Sequence, residues 1–485
     1  MNGSMILYIL GYVLRIEGLL MLPSSLVGLI YRETQGWAYL AVGVLCAALG
    51  TYFIRERPKN TVFYLKEGCV ATALSWIAMS AFGALPFMLT GEIPSFTDAM
   101  FETVSGFTTT GASILPDVEA MCHCSLFWRS FTHWIGGMGV LVFLLAVVPL
   151  SGGSHFNLMR AESPGPSVGK LVPKVKATAR ILYLIYIAMT LVMIGLLAAD
   201  MPLFDAVVHS FGTAGTGGFG IKADSFAGYS PYAQWIVTIF MLLFAVNFNA
   251  YYFLLYRKFR KAWEIEEIRW FFAIVLAAVA ILFCDIVRIY DTAFEALTHA
   301  AFQVASIISS TGFATADFNL WSQTSRLTLV LLMFVGACAG STGGGIKVSR
   351  IVILLKTVVN EFRSYIHPKS IRSIKMDGKP IEHSMVHSVC VYLATFTLLF
   401  CGSVFIVSLE GRDLVTTFTA VTATINNIGP GLELVGPAGN FSMLSALSKW
   451  TLIFDMLAGR LELFPLLILF HPSLWRDSFS RRKDN

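Results

Sequence analysis

Charge is what this chain has least of. Only 13% of its 485 residues are Asp, Glu, Lys or Arg, while 56% are hydrophobic; soluble globular domains carry about 25% charged residues. With a mean hydropathy of +0.69, the chain cannot fold its apolar surface into one water-excluded core, so a polytopic membrane protein is expected. Cysteine is also sparse. Of eight, Cys46, Cys69, Cys284, Cys338, Cys390 and Cys401 lie in or beside apolar runs and read as small packing residues. Cys122 and Cys124 flank His123, but a single C-H-C without a second ligand cluster departs from common zinc spacings and reads as an ordinary outer loop. The amino terminus has no basic n-region and no small-residue cleavage site, and its first apolar run contains Arg15 and Glu17. A removable signal peptide is therefore not expected. No nucleophile, base and orienter gather around the scattered His133, His209 and His299, which argues against an enzyme. Neither an organic cofactor nor a nucleic-acid partner is expected.

What is present is a succession of apolar runs near the ~20 residues that span a bilayer. Ten can be placed: Met5 to Tyr31, Trp37 to Phe53, Val70 to Leu89, Leu126 to Pro149, Ile181 to Leu197, Trp235 to Tyr256, Trp270 to Ile289, Leu327 to Leu355, Met385 to Leu409 and Leu444 to Phe470. The loops after the second, fourth, sixth and eighth runs are basic, with Arg55, Arg57, Lys59 and Lys66; Arg160, Lys170, Lys174, Lys176 and Arg180; Arg257, Lys258, Arg260 and Lys261; Lys356, Arg363, Lys369, Arg372 and Lys375. The tail adds Arg476, Arg481, Arg482 and Lys483. The positive-inside rule puts these faces, and hence both termini, in the cytoplasm. The alternate loops lean acidic, as in Glu92, Asp98, Asp200, Asp205, Asp291, Glu295, Glu410 and Asp413.

Four short Gly/Thr segments fall on the acidic side: GFTTTGAS at 106–113, GTGGFG at 215–220, SSTGFAT at 309–315 and NNIGPG at 426–431. Their aligned glycines, Gly111, Gly218, Gly312 and Gly429, stand 107, 94 and 117 residues apart. All four copies share one face, whereas inverted repeats would alternate them. Before each glycine lies a segment too short to cross the membrane: Phe96 to Phe107, Leu203 to Thr213, Ala293 to Ile307 and Asp413 to Ile425. Non-helical backbone at membrane depth must be buried in protein or line water, so each copy reads as a half-crossing helix with an extended return. Asp98, Asp205 and Asp413 are placed to cap three of these helices. The negative C-terminal ends of the helix dipoles would then favour a cation at the centre. Rings of backbone carbonyls replace a cation's water without fixed charge, and glycine permits the required backbone. The expected filter residues, which would bind an alkali cation, are Thr109, Thr110 and Gly111; Thr216, Gly217 and Gly218; Ser310, Thr311 and Gly312; Asn427, Ile428 and Gly429; the resemblance stated below makes that cation potassium.

One of the ten runs should break. Leu327 to Leu355 is 29 residues, and at about 1.5 Å per residue it overshoots the ~30 Å hydrocarbon core. Inside it stands GACAGSTGGGIKVSR, Gly336 to Arg350. It is no phosphate-binding loop, because that motif needs Lys at the position of Ile346. Five glycines in the ten residues 336–345 exceed what a packing kink requires. In the last run Arg460 interrupts an apolar span, where a cation is costly and faces a cavity or a partner.

The chain resembles the bacterial Trk/Ktr/HKT potassium transporter superfamily, in its Trk-H/Trk-G branch. Carrying the resemblance are TTTGA at 108–112, HSF and GGF between His209 and Phe219, STGF at 310–313, NNIGPGL at 426–432, and two extra N-terminal helices. It implies an all-α polytopic fold with four parallel helix, pore loop, helix repeats around one central pore plus two additional N-terminal transmembrane helices. The segmentation that follows is 1–62 for the extra helices, then repeats at 63–150, 175–262, 265–360 and 383–473. A cytoplasmic loop fills 361–382 and a basic tail 474–485. The resemblance further implies potassium uptake across the bacterial inner membrane by a multi-pass homodimer. Sodium-preferring plant relatives tend to carry Ser where this chain has Gly111. It implies an intramembrane gating loop at 336–346, with Gly336, Gly340, Ser341, Thr342, Gly343, Gly344, Gly345 and Lys347 as its residues, and Arg460 as a barrier below the filter. A cytosolic ring of nucleotide-binding regulatory subunits, of ATP or NAD type, would open the pore; the basic loops are equally suited to anionic lipid. The alternatives are a proton- or sodium-coupled potassium symporter, with Asp285 and Asp455 as candidate carboxylates, and the potassium-translocating subunit of a P-type pump.

Overall fold

The computed structural model describes residues 1–56, 58, 64–137, 139, 175–368, 373–472 and 474. The expected second half of the run ending at Pro149, the basic residues Arg57, Lys59, Arg160, Lys170, Lys174, Lys369 and Arg372, and the tail from 475 onward lie outside the described residues. So does the side chain of Lys176. Among the described residues the fold is helical, with one antiparallel pair of two-residue strands, Lys375–Met376 and Lys379–Pro380. Six helical stretches are long and apolar enough to cross a membrane, or seven if one sharply bent pair counts as a span.

An N-terminal hairpin comes first, of α1 (Gly3–Leu20), α2 (Leu22–Tyr31) and α3 (Gly36–Ile54). Lipid-embedded helices gain little from hydrophobic association and pack through small residues. Here glycines meet in pairs: Gly11 faces Gly50, Gly18 faces Gly43, and Gly28 faces Gly36. A Cβ added to Gly43 would lie 2.9 Å from the Gly18 carbonyl, so the two backbones pack with no room for a side chain.

A pattern then recurs four times: a long helix followed by a short one and a further helix. The sets are α4 (Leu65–Leu89), α5 (Phe96–Phe107) and α6 (His123–Gly137); α7 (Val175–Leu197), α8 (Leu203–Gly215) and α9 (Pro231–Ala245) with α10 (Phe248–Leu255); α11 (Phe259–Trp263) is a linker. Next come α12 (Glu266–Ile286), α13 (Ala293–Ile308) and α14 (Gln323–Val335) with α15 (Val348–Ile366). The last set is α16 (His383–Ser408), α17 (Leu414–Ile425) and α18 (Ala446–Arg460) with α19 (Phe464–Leu467).

The short helices start where their caps allow. Ser95, Thr292 and Asp413 each accept a backbone N–H from the first turn, satisfying a donor that has no intrahelical partner. Of the three aspartates expected to cap, only Asp413 does. Asp98 lies in the first turn and pairs with Lys449 at 2.6 Å, and Asp205 accepts from the Tyr229 hydroxyl at 3.0 Å.

Three third helices are interrupted, where the apolar runs pointed to one. Besides the expected break after Val335, the run Trp235 to Tyr256 turns by 93° between α9 and α10, with Val246 extended and Asn247 capping α10. The run Leu444 to Phe470 stops at Arg460, and Glu462 and Leu463 follow with φ of 59° and 64°. Hydropathy could not show these breaks, because each is made by packing. The Phe248 N–H is taken by the Gly340 carbonyl at 3.0 Å, and Gly459 presses on the Ile425 carbonyl. The core around the first set is aromatic: Phe107 and Trp128, both fully buried, meet edge to face at 6.0 Å, a pair worth about 0.5–1.5 kcal/mol beyond burial.

Replacing Gly18 with Leu should cost about 1–3 kcal/mol, the usual penalty of overpacking, seen as a lower thermal unfolding midpoint in detergent. Leu7→Ala, at an exposed position of the same helix, should leave the midpoint where it is; equal effects would dismiss the glycine seam.

Candidate functional site

Each short helix ends in the same way. Its last turn is closed by a residue in the left-handed region, Thr109, Thr216, Ser310 or Asn427, with φ of 55°, 56°, 59° and 54°. Two residues later comes a glycine with positive φ: Gly111 at 81°, Gly218 at 80°, Gly312 at 84° and Gly429 at 101°. The residue between donates its N–H back into the helix at 2.8 Å in all four: Thr110 to Ser105, Gly217 to Gly212, Thr311 to Ser306, and Ile428 to Ala423. Left-handed backbone is easy for glycine and costly for β-branched Thr. Repeating it at four non-glycine positions makes it a built conformation.

The four ends meet. A Cβ added to Gly111 would sit on the Gly217 carbonyl, one on Gly218 on that of Thr311, and one on Gly312 on that of Ile428; one on Gly429 would lie 2.7 Å from the Thr110 carbonyl. The order of contact runs from the first set to the fourth and back to the first, so eight of the twelve expected residues close a ring, and Thr109, Thr216, Ser310 and Asn427 immediately precede them. In each contact the carbonyl belongs to the residue just before the aligned glycine. The ring contributes one such carbonyl oxygen from each set, and no side chain larger than hydrogen fits between neighbours. Thr109, Thr110, Thr216, Ser310, Thr311, Asn427 and Ile428 are fully buried, while Gly111, Gly218 and Gly312 keep partial exposure.

Side chains brace the ring from behind. Thr108 bonds Thr110 at 2.8 Å and Ser309 bonds Thr311 at 2.7 Å, hydroxyl to hydroxyl. The Asn427 amide donates to Thr110 Oγ1 and to the Met456 carbonyl, both at 2.9 Å, tying the fourth set to the first. His133 ties the first to the second. Its Nε2 accepts the Phe219 N–H at 3.1 Å, so the proton is on Nδ1, which donates to the Gly106 carbonyl at 2.8 Å. Arg129 and Glu102, both buried, pair at 2.7 Å, and the guanidinium also reaches the Gly220 carbonyl and lies 4.0 Å from the Phe219 ring centre. Sequence reading passed over His133, which it treated as one scattered histidine. The one available signal was its position, an imidazole inside an apolar run where a polar group needs a partner.

Residues 336–347, between α14 and α15, pack directly under this ring. Positive φ at Gly336, Gly340 and Gly345, 70°, 69° and 81°, turns the chain sharply. The Gly344 N–H donates to Ser310 Oγ at 2.5 Å, and added Cβ atoms would lie 2.7 Å from the Ser309 carbonyl at Gly343 and 2.5 Å from the Asn426 carbonyl at Gly344. The loop is pinned on its other side by the second and third sets. Cys338 N–H donates to the Ala245 carbonyl, and Thr342 Oγ1 donates to that of Phe244. Glu267 on α12 accepts the N–H groups of Ala339 and Ser349 at 2.6 and 3.0 Å. The Ser341 hydroxyl donates to the Cys338 carbonyl at 2.6 Å.

Three cations hold the same loop by its carbonyls. Arg460 Nη1 donates to Thr342 O at 2.8 Å and Nη2 to Gly136 O at 2.6 Å. Lys347 Nζ donates to Gly343 O. Arg350 donates to Ile346 O at 3.0 Å and pairs with Glu462. Neither carboxylate near Arg460 in sequence is spent on it in these bonds, since Asp455 accepts from Ser403 at 2.6 Å and Glu462 takes Arg350. Glu267 and Arg350 were not foreseen; both stand at the starts of apolar helices, where a charge reads as a solvated end. Asp285, a candidate for coupling, lies at the end of α12 and accepts from Ser322 and Ser325.

Residues 37–482 match the model of the TrkH family, described as cation transport protein. The chain is 38% identical over 478 residues to the Trk system potassium uptake protein TrkH of Salmonella typhimurium, which covers 96% of this chain and 97% of that one. It is 32% identical over 489 residues to the Trk system potassium uptake protein TrkG of Escherichia coli, covering 98% and 100%. Among solved structures, that of the potassium transporter TrkH from Vibrio parahaemolyticus superposes with a TM-score of 0.88 at 31% identity, covering 98% of this chain and all of the other.

His133→Leu should leave the Gly106 carbonyl and the Phe219 N–H buried and unpaired, at about 1–3 kcal/mol for each, lowering the thermal midpoint. His133→Gln, which keeps a donor and an acceptor, should recover part of the loss; a Leu variant as stable as the parent would remove the imidazole as a tie.

Proposed function

The chain belongs to the TrkH family of cation transport proteins, and from that premise we propose that it takes up potassium across the bacterial inner membrane through the ring of carbonyls. The observation that carries this reading is the cyclic contact of Gly111, Gly218, Gly312 and Gly429 with the carbonyls of Gly217, Thr311, Ile428 and Thr110. A stripped alkali cation needs several uncharged oxygens at once, and four backbone carbonyls in a closed ring, one from each set, supply them. The ring's rigidity follows from its bracing by Asn427, His133 and the paired hydroxyls, so oxygen spacing is held against collapse onto a smaller ion. The short helices α5, α8, α13 and α17 end at the ring, and their C-terminal dipoles favour positive charge there.

Below the ring the logic reverses. Loop 336–346 lies against the ring's under-surface, and Lys347 and Arg460 place fixed positive charge on its carbonyls. A potassium ion leaving the ring meets both a steric plug and electrostatic repulsion, so this arrangement is the closed gate. Opening requires the loop to leave Ser310, Glu267 and Arg460. Its continuation, α15, runs to the basic segment before α16, which suits it to receive a push from a cytosolic nucleotide-binding regulatory ring. Basic loops facing the cytoplasm put both termini inside. The family resemblance supports a homodimer.

A coupled symporter is the second reading, favoured by Asp455. This carboxylate is fully buried in α18, and its Oδ2 has no hydrogen-bond partner among the described residues. Flux in proteoliposomes of the purified chain separates the readings: potassium and rubidium should move down their gradients with no proton or sodium gradient, and sodium should not. A strict need for a second ion would favour the symporter instead. Gly111→Ser, whose Cβ would sit on the Gly217 carbonyl, should lower the potassium-to-sodium permeability ratio about tenfold, equivalent to about 1.4 kcal/mol of discrimination; an unchanged ratio would take Gly111 out of the filter. Alanine at Gly343, Gly344 and Gly345 should alter the open fraction and leave the permeability ratio alone. A changed ratio would mean that the loop belongs to the filter itself.

A further inference from the structure

At the start of α6, three segments converge around a pair of thiols. Glu33 comes from the turn between α2 and α3, Cys122 from the end of the loop after the first glycine segment, and Cys124 from the first turn of α6. Both cysteines are free, with sulfurs 3.2 Å apart. One Glu33 oxygen and the two sulfurs all lie within 4.8 Å of one another. Ligands of a single zinc ion, bound at about 2.0–2.3 Å, lie within about 4.6 Å of each other. The cluster is thus contracted nearly to the size of a coordination shell.

Its surroundings are those of an orienting second layer. Glu33 Oε1 accepts the His123 N–H at 2.8 Å and faces His123 Nδ1 at 2.8 Å, and Oε2 accepts the Cys124 N–H at 3.0 Å. Tyr31 stacks on the His123 ring at 4.0 Å and fixes the imidazole. On the other side Glu92 accepts the Cys122 N–H at 2.8 Å and the Ser125 hydroxyl, and the Tyr39 hydroxyl lies 2.8 Å from Ser125 Oγ. A second carboxylate, Glu92, thus lies beside the cluster of Glu33 and the two thiols. Among the described residues no Lys or Arg forms an ion pair with either carboxylate; Glu33 has only His123.

We propose that Cys122, Cys124 and Glu33 form a site for a thiophilic divalent cation of the zinc class, clamping the N-terminal hairpin to α6. Two thiolates and a carboxylate are a zinc donor set, and the His123 side chain beside them is half-exposed. Binding breaks two S–H bonds, forms two metal–sulfur bonds and releases two protons to solvent. The acidic cluster draws the cation in, and the metal supplies the positive charge that the cluster lacks. Since α6 also carries Arg129 and His133, the clamp would fix the N-terminal hairpin to the helix that braces the ring.

The test uses the full chain, purified in detergent under a phosphine reductant, stripped with chelator, assayed for free thiols and then titrated with cadmium or zinc. One equivalent should bind, with a cadmium–thiolate charge-transfer band in the ultraviolet and a raised thermal midpoint. Cys122→Ser and Cys124→Ser should abolish the band, and Glu33→Gln should weaken binding about tenfold or more, as loss of one ligand group does. Cys390→Ser, at an exposed cysteine outside the cluster, should change nothing. Absence of the band in monodisperse, reduced protein that still conducts potassium would overturn the site. An unchanged band and stoichiometry in the double serine variant would do the same, as would Glu33→Gln binding with undiminished affinity. Because binding is read by absorbance and melting, its failure leaves the transport reading untouched, and failed flux leaves the site untouched.

Discussion

Everything central in this molecule depends on four glycines having no side chain. The close approach of Gly111, Gly218, Gly312 and Gly429 to the next carbonyl around the ring sets how tightly the four sets meet. Any Cβ would drive two backbones apart. The close approach in turn demands that each short helix end abruptly, which is why a Thr, Thr, Ser or Asn is forced into left-handed backbone two residues earlier. Backbone strain of this kind persists only where the surroundings over-determine it. Here the surroundings do so with paired hydroxyls, the Asn427 amide and the His133 imidazole.

The same economy of space governs the lower half. Gly343 and Gly344 reach the underside of the ring because they too lack side chains, and the Gly343, Ile346 and Thr342 carbonyls of the same loop are taken up by Lys347, Arg350 and Arg460. Burying a cation among carbonyls costs less than burying it among hydrocarbon, since charge-assisted hydrogen bonds recover much of the lost hydration. The proposed function uses one chemistry, backbone carbonyls meeting cations, twice. Above, the oxygens would serve a passing ion. Below, they are occupied by the protein's own positive groups.

The helices that carry the ring, by contrast, are steadied by acids. Glu102 holds Arg129 behind the first and second segments, Asp98 holds Lys449 of the fourth set, and Glu33 and Glu92 hold the start of α6 by its N–H groups and Ser125. Glu92 and Asp98 were legible as part of an acidic face but not as partners, because hydropathy reports where a charge lies along the chain and not what lies opposite it. Asp98 and Asp205 illustrate the point: each stands where a helix cap is expected, and each is diverted to a side chain from another segment.

By itself the sequence determined the membrane class, the four recurrences with their aligned glycines, the short helices almost to the residue, and the break within 327–355. All of these follow from local chemistry: apolar length, glycine's backbone freedom and capping groups. Tertiary structure alone decided the rest. It closed the four segments into a ring in chain order, kinked α9 and ended α18 where hydropathy ran on, recruited His133, Glu267 and Arg350, and gathered Glu33, Cys122 and Cys124 from three segments. Those features arise from contacts between residues tens to hundreds of positions apart, and nothing in the spacing of a single chain encodes which distant carbonyl a glycine will meet.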